Sequence, residues 1–159
     1  VNERVTAELQ KLKKVIEKER QDLEVQAELL ATKRIARGML EGFDCHQQSF
    51  RAADRLLSVR VFEICRLGDE ILLRTQIKNR ARALFTPESL TVFIDGKALP
   101  TAVFPEGGEF HQIKLPFDAR LNVIASARGE LVKQAQSFSL ELAEIGGKNR
   151  TVRLDGVSF

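Results

Sequence analysis

The sequence contains no tryptophan and no tyrosine; all ten of its aromatic residues are phenylalanine. Trp and Tyr dominate protein-binding hot spots, and base-stacking surfaces need exposed rings. Most of the phenylalanines lie within apolar patterns, so the chain is not expected to work by aromatic stacking. There are two cysteines and two histidines, with none at C-x-x-C or H-x-x-x-H spacing, which argues against a zinc site. Neither a P-loop nor a G-x-G-x-x-G run is present. Cys45 and His46 are adjacent, but neighbours on a helix point about 100° apart and do not face each other. No catalytic group, metal ligand or cofactor is therefore expected. Two cysteines are too few for a disulfide framework, and stable bridges belong to oxidising compartments. The opening "VNERVTAELQ" has no apolar signal core, so Cys45 and Cys65 are expected to be free thiols, with a single bridge between them as the alternative. The expected setting is the cytoplasm, or a virion or other assembly, rather than secretion. No run of 18 apolar residues exists, so no transmembrane helix is expected.

Excess charge is also lacking. The net charge is +3, and the halves are balanced: 11 basic and 10 acidic residues in 1–57, then 14 and 12 in 58–159. Such a chain is not a dedicated nucleic-acid binder.

Proline and glycine divide the chain. Residues 1–57 hold no proline, only Gly38 and Gly42, and many good helix formers. Val5, Leu9, Leu12 and Ile16 recur in steps of four, three and four, and Leu9, Ile16, Leu23 and Leu30 repeat every seven residues. That is one side of a coiled-coil seam. The companion positions after Leu12 are Glu19, Gln26 and Lys33, so the zipper is imperfect. The pattern predicts a helix near 3–37 and a bend at 38–44. A second helix over 45–57 follows from a capping box at Asp44 and Gln47 and from the spacing of Ala36, Leu40, Phe43, Phe50 and Leu57. One continuous helix is the alternative.

From residue 58, β-branched alternation and turn signals take over. "SVRVFEICRL", Gly68-Asp69 and "EILLRTQIKNRARA" read as a hairpin, and Asp95-Gly96 marks another. "FHQIKLPF" reads as a short strand. "ARLNVIASA" alternates, Arg128-Gly129-Glu130 turns into "LVKQAQSFSLEL", and "GGKN" precedes a last strand. Seven or eight short antiparallel strands imply a sandwich or barrel. The expected organisation is α+β: a helical or coiled-coil oligomerisation or docking region at 1–57 and a β-sandwich at 58–159.

"FHQIKLPFDARLNVIASARGELVKQAQSFSLEL" and the Asn-terminated "ILLRTQIKNRA" resemble strands of bacterial and phage Ig-like modules over residues 59–142. The resemblance implies an Ig-like sandwich acting as a spacer, adhesive unit or assembly contact. The antibody-type core Trp is missing.

One stretch departs from the charge balance. Arg74, Lys78, Arg80 and Arg82 share a parity, with no carboxylate between them. On a strand they make one basic face: a solvated or edge-protecting face, a protein-partner surface, or a site for nucleic acid or another anionic surface. The function expected from the whole is non-enzymatic assembly through protein partners, as a homo-oligomer or a subunit of a larger assembly. Val5, Leu9, Leu12, Ile16, Leu23 and Leu30 would form the helix interface.

Overall fold

In the computed structural model, the chain divides into two compact units, Val1–Gly42 and Phe43–Phe159. The structure describes residues 2–42, 44–145 and 149–159. Phe43 and most of the expected "GGKN" turn lie outside the described residues.

The first unit is a single helix, α1, spanning Asn2–Glu41. At ~1.5 Å per residue it is about 60 Å long. It runs through Gly38 without a break and is followed by Gly42, which takes φ +80. Glycine in the left-handed region just past a helix is a common helix terminator, because there is no Cβ to clash.

Among its described residues, the second unit holds nine strands in two antiparallel sheets. They are β1 (Asp44–Asp54), β2 (Leu57–Leu67), β3 (Glu70–Asn79), β4 (Pro87–Ile94), β5 (Lys97–Ala98), β6 (Thr101–Pro105), β7 (Arg120–Arg128), β8 (Ser137–Glu144) and β9 (Thr151–Ser158). One sheet has the order β1-β2-β3-β7-β6 and the other β5-β4-β8-β9. The core comes from alternate inward positions of both sheets: Val59, Val61, Ile71, Leu73 and Ile77 against Leu90, Val92, Leu140, Leu142 and Val152, all buried. The expected helix-then-antiparallel-sheets architecture is therefore present.

Three local expectations are overturned. The second helix expected at 45–57 is strand β1 and the start of β2, so the division of the chain falls after Gly42 rather than after residue 57. Asp44 opens a strand opposite Arg66 instead of capping a helix. Phe50 and Ala52 are half-buried and pack on the core in alternation, a period of two. "FHQIKLPF" forms a single 3₁₀ turn at Phe110–Gln112, with Leu115 bridged to Phe85, rather than a strand. The "LVKQ" end of the expected last-but-one strand forms a short helix, α2 (Glu130–Gln134).

The turn between β1 and β2 explains the first of these errors. Asp54 pairs with Leu57, which leaves Arg55 and Leu56 as a two-residue turn with φ 44 and 66. Both are in the left-handed region, where hairpin turns normally place Asn or Gly. Leu56 is 57% exposed and so contributes little burial. Left-handed backbone costs a non-glycine residue about 1–2 kcal/mol, and glycine's extra chain entropy offsets about half of that. Leu56→Gly is expected to raise stability by about 0.5–1 kcal/mol, read as a higher denaturant midpoint at unchanged m-value.

Candidate functional site

The outward face of the five-stranded sheet carries two adjoining hollows. Strand register places Arg51 opposite Arg60 and Arg60 opposite Gln76. One step along, Ser58 lies opposite Lys78, and Lys78 opposite Arg120. With Arg80 they line a small hollow of about 100 Å³ containing five cations, one hydroxyl, one amide and no carboxylate. Lys78 Nζ is 3.4 Å from Asp118 Oδ1 at the margin. Arg60 donates to Ser49 Oγ at 3.2 Å and lies over the Phe62 ring at 4.5 Å. Arg51, Arg80 and Arg120 have no side-chain hydrogen bond or ion pair among the described residues.

The second hollow, about 630 Å³, is lined chiefly by Phe62, Phe104, Pro105 and Ile124, with Arg74, Gln76, Glu106 and Asn122 at its rim. A β-bulge makes it: β2 pairs Val61 with Thr75 and then Glu63 with Arg74, so Phe62 is an extra residue in the ladder. Gln76 donates to Asn122 Oδ1 at 3.1 Å, and Asn122 donates to Glu106 at 3.2 Å, dividing the basic hollow from the apolar one.

The four cations of the sequence stripe therefore do not act together. Lys78 and Arg80 line the basic hollow. Arg74 points outward too, but it faces Glu63 (Nη1–Oε2 3.6 Å) beside the apolar hollow. Arg82 is exposed in the segment after β3 and lines neither hollow. Sequence reading missed Arg51, Arg60 and Arg120, because their common face exists only once β1, β2 and β7 are paired around β3.

Cys45 and Cys65 are directly opposite each other on β1 and β2 and form a disulfide, so the expected free thiols are absent. The expectation rested on the lack of an apolar signal core and on the redox compartment; the β1–β2 hairpin brings the two cysteines into register. His46 pairs with Asp44 at 2.8 Å on the exposed strand end. His111 lies in the 3₁₀ turn, lining a hollow of about 470 Å³ with Thr91, Thr101 and Glu109.

On α1, Val5, Leu9, Leu12, Ile16, Leu23 and Leu30 are each 51–65% exposed, and every residue from 2 to 36 is exposed. No described helix is long and apolar enough to cross a membrane. Comparison with protein-family models, curated proteins and solved structures finds no match to this chain.

Proposed function

We propose that this chain is a non-enzymatic structural or assembly protein, whose helix associates with further copies of itself and whose β-sandwich serves as a rigid contact surface. The observation that carries the reading is the exposed apolar seam of α1. Its four positions at seven-residue steps, Leu9, Ile16, Leu23 and Leu30, are each at least 52% exposed along one helix. A lone helix gains most of its stability by burying such a stripe, and a seven-residue repeat matches a second helix of the same kind. The polar residues Glu19, Gln26 and Lys33 at companion positions would restrict register and partner choice, at a cost in stability.

An Ig-like character for the sandwich is supported by strand order. With β2 to β9 lettered A, B, C, C′, D, E, F and G, the sheets read A-B-E-D and C′-C-F-G, leaving β1 as an added edge strand. The disulfide lies within one sheet, unlike the inter-sheet bridge of antibody domains. Spacer and contact roles follow from resemblance to Ig-like modules, since fold alone does not fix function.

Light scattering tests the proposal. The full chain should show a mass that is a multiple of 17.9 kDa. Leu9→Asp with Leu23→Asp should return it to monomer and reduce helical circular dichroism while leaving the β-domain folded. A monomer at high concentration with a fully formed helix would refute self-association.

A further inference from the structure

We propose that the hollow bounded by Arg51, Arg60, Lys78, Arg80 and Arg120 is a binding site for a single tetrahedral oxyanion, a phosphate group carried on a small or membrane-presented ligand. Three observations carry it. First, the charges are arranged against the interest of the empty fold. Arg51 is directly opposite Arg60, and Lys78 directly opposite Arg120. Like charges at directly opposed positions of a sheet are destabilising. Asp118 meets Lys78 at the margin, but no carboxylate lines the hollow between the two pairs, which lie one step apart on one face and repel each other unless an anion lies between them.

Second, three of the five cations are uncommitted. Arg51, Arg80 and Arg120 have no polar side-chain partner among the described residues. Of the other arginines of this unit, Arg74 meets Glu63 at 3.6 Å, Arg128 meets Asp69 at 3.2 Å, and Arg153 meets Asp155 at 2.8 Å and Glu141 at 3.2 Å, whereas Arg66 meets the Val132 carbonyl and the Phe159 ring, and Arg82 has no side-chain partner among the described residues. Guanidinium groups suit phosphate because their planar donors form charge-assisted, often paired hydrogen bonds.

Third, the shape selects a compact group. The hollow is about 100 Å³. That is room for one oxyanion with Ser58 and Gln76 as neutral donors, not a groove following successive phosphates. A nucleic-acid strand would also need rings to stack on. Phe62, the ring beside the cluster among the described residues, is covered by Arg60. The arrangement therefore favours a discrete phosphate over a polynucleotide.

Calorimetric titration with inorganic phosphate and pyrophosphate, against sodium chloride at matched ionic strength, tests the site. Sedimentation with phosphatidic acid–phosphatidylcholine vesicles separates a headgroup from a free anion. The unaltered chain should bind phosphate, pyrophosphate or the vesicles. Arg60→Gln with Arg120→Gln should weaken that binding by at least about tenfold, since each removes a charge-assisted contact. The control Lys97→Gln with Lys114→Gln makes the same change in net charge at exposed positions away from the hollow and should bind unchanged. Equal losses in both double variants would reduce the effect to overall charge and overturn the site. So would no binding to any of the three probes, or tighter binding to a single-stranded oligonucleotide that both variants weaken equally.

Discussion

Glu144→Ala should destabilise the β-sandwich by about 3–5 kcal/mol, a large part of the ~5–15 kcal/mol that holds an ordinary domain together. Glu144 closes β8 and Arg150 immediately precedes β9; both side chains are almost wholly buried. Arg150 Nε donates to Glu144 Oε2 at 2.8 Å. Nη2 lies 2.6 Å from the same oxygen as an ion-pair contact and has no hydrogen-bond partner among the described residues. Nη1 donates to Asn79 Oδ1 at 3.1 Å and to the Arg55 carbonyl at 3.4 Å. Asn79, itself fully buried, donates to the carbonyls of Ala83 and Leu115 at 2.9 Å and accepts from the Ala81 N–H at 3.1 Å. One guanidinium thus ties the end of β8, the end of β3 and the left-handed turn before β2.

Removing Glu144 leaves the Arg150 cation buried without its counter-charge, and that desolvation cost, more than the lost contact, sets the size of the effect. Glu144→Leu with Arg150→Met should recover most of the loss, because an apolar pair of similar volume carries no such penalty. Chemical denaturation followed by near-ultraviolet circular dichroism measures both. A double variant as unstable as the single one would mean that the links from Arg150 to Asn79 and Arg55, not the charge pair, dominate.

The second large effect is redox. Reduction, or Cys45→Ser with Cys65→Ser, should lower stability by about 3 kcal/mol, the usual gain for a bridge closing a loop of this size, with a sequence separation of 20. The loss should be uneven. Above the bulge at Gln47/Phe50, β1 residues 44–47 are exposed and rest mainly on their pairing with β2. Amides there should lose hydrogen-exchange protection first, while β3 and β7 in the centre of the sheet keep theirs. Equal denaturation midpoints with and without reductant would contradict this.

Much of the sandwich was legible because its strands obey simple alternation. In β3, Ile71, Leu73, Thr75 and Ile77 turn inward and Arg74, Gln76 and Lys78 outward, as a period of two requires. Asp95 and Gly96 both take positive φ, as their turn signal implies. The resemblance drew attention to an asparagine ending a strand before a loop; the structure supplies its physical reason, four hydrogen bonds through Asn79. β1 was illegible for two reasons. Phe43, Phe50 and Leu57 are spaced by seven, which is a helical period, whereas Phe50 and Leu57 in fact sit on two different strands, β1 and β2, joined by the turn at Arg55-Leu56. The hairpin that follows turns on Arg55-Leu56, with no Gly, Asn or Asp to announce it. Gly42, correctly seen as an interruption, ends α1 outright. The oxyanion hollow could not be read either, since its five cations come from 51, 60, 78, 80 and 120 and only strand register brings them together.

The position of the disulfide has a mechanical consequence. The polypeptide leaves α1 at Glu41 and enters β1 at Asp44, and Cys45 is the next residue. Tension applied through the helix, as when several chains are gathered by their helices and pulled from their sandwiches, therefore meets a covalent cross-link one residue into the strand. Unzipping of β1 from the sheet edge, ordinarily the easiest way to pull an antiparallel strand away rung by rung, is arrested at its outset. The force passes into β2, whose neighbours on both sides share it.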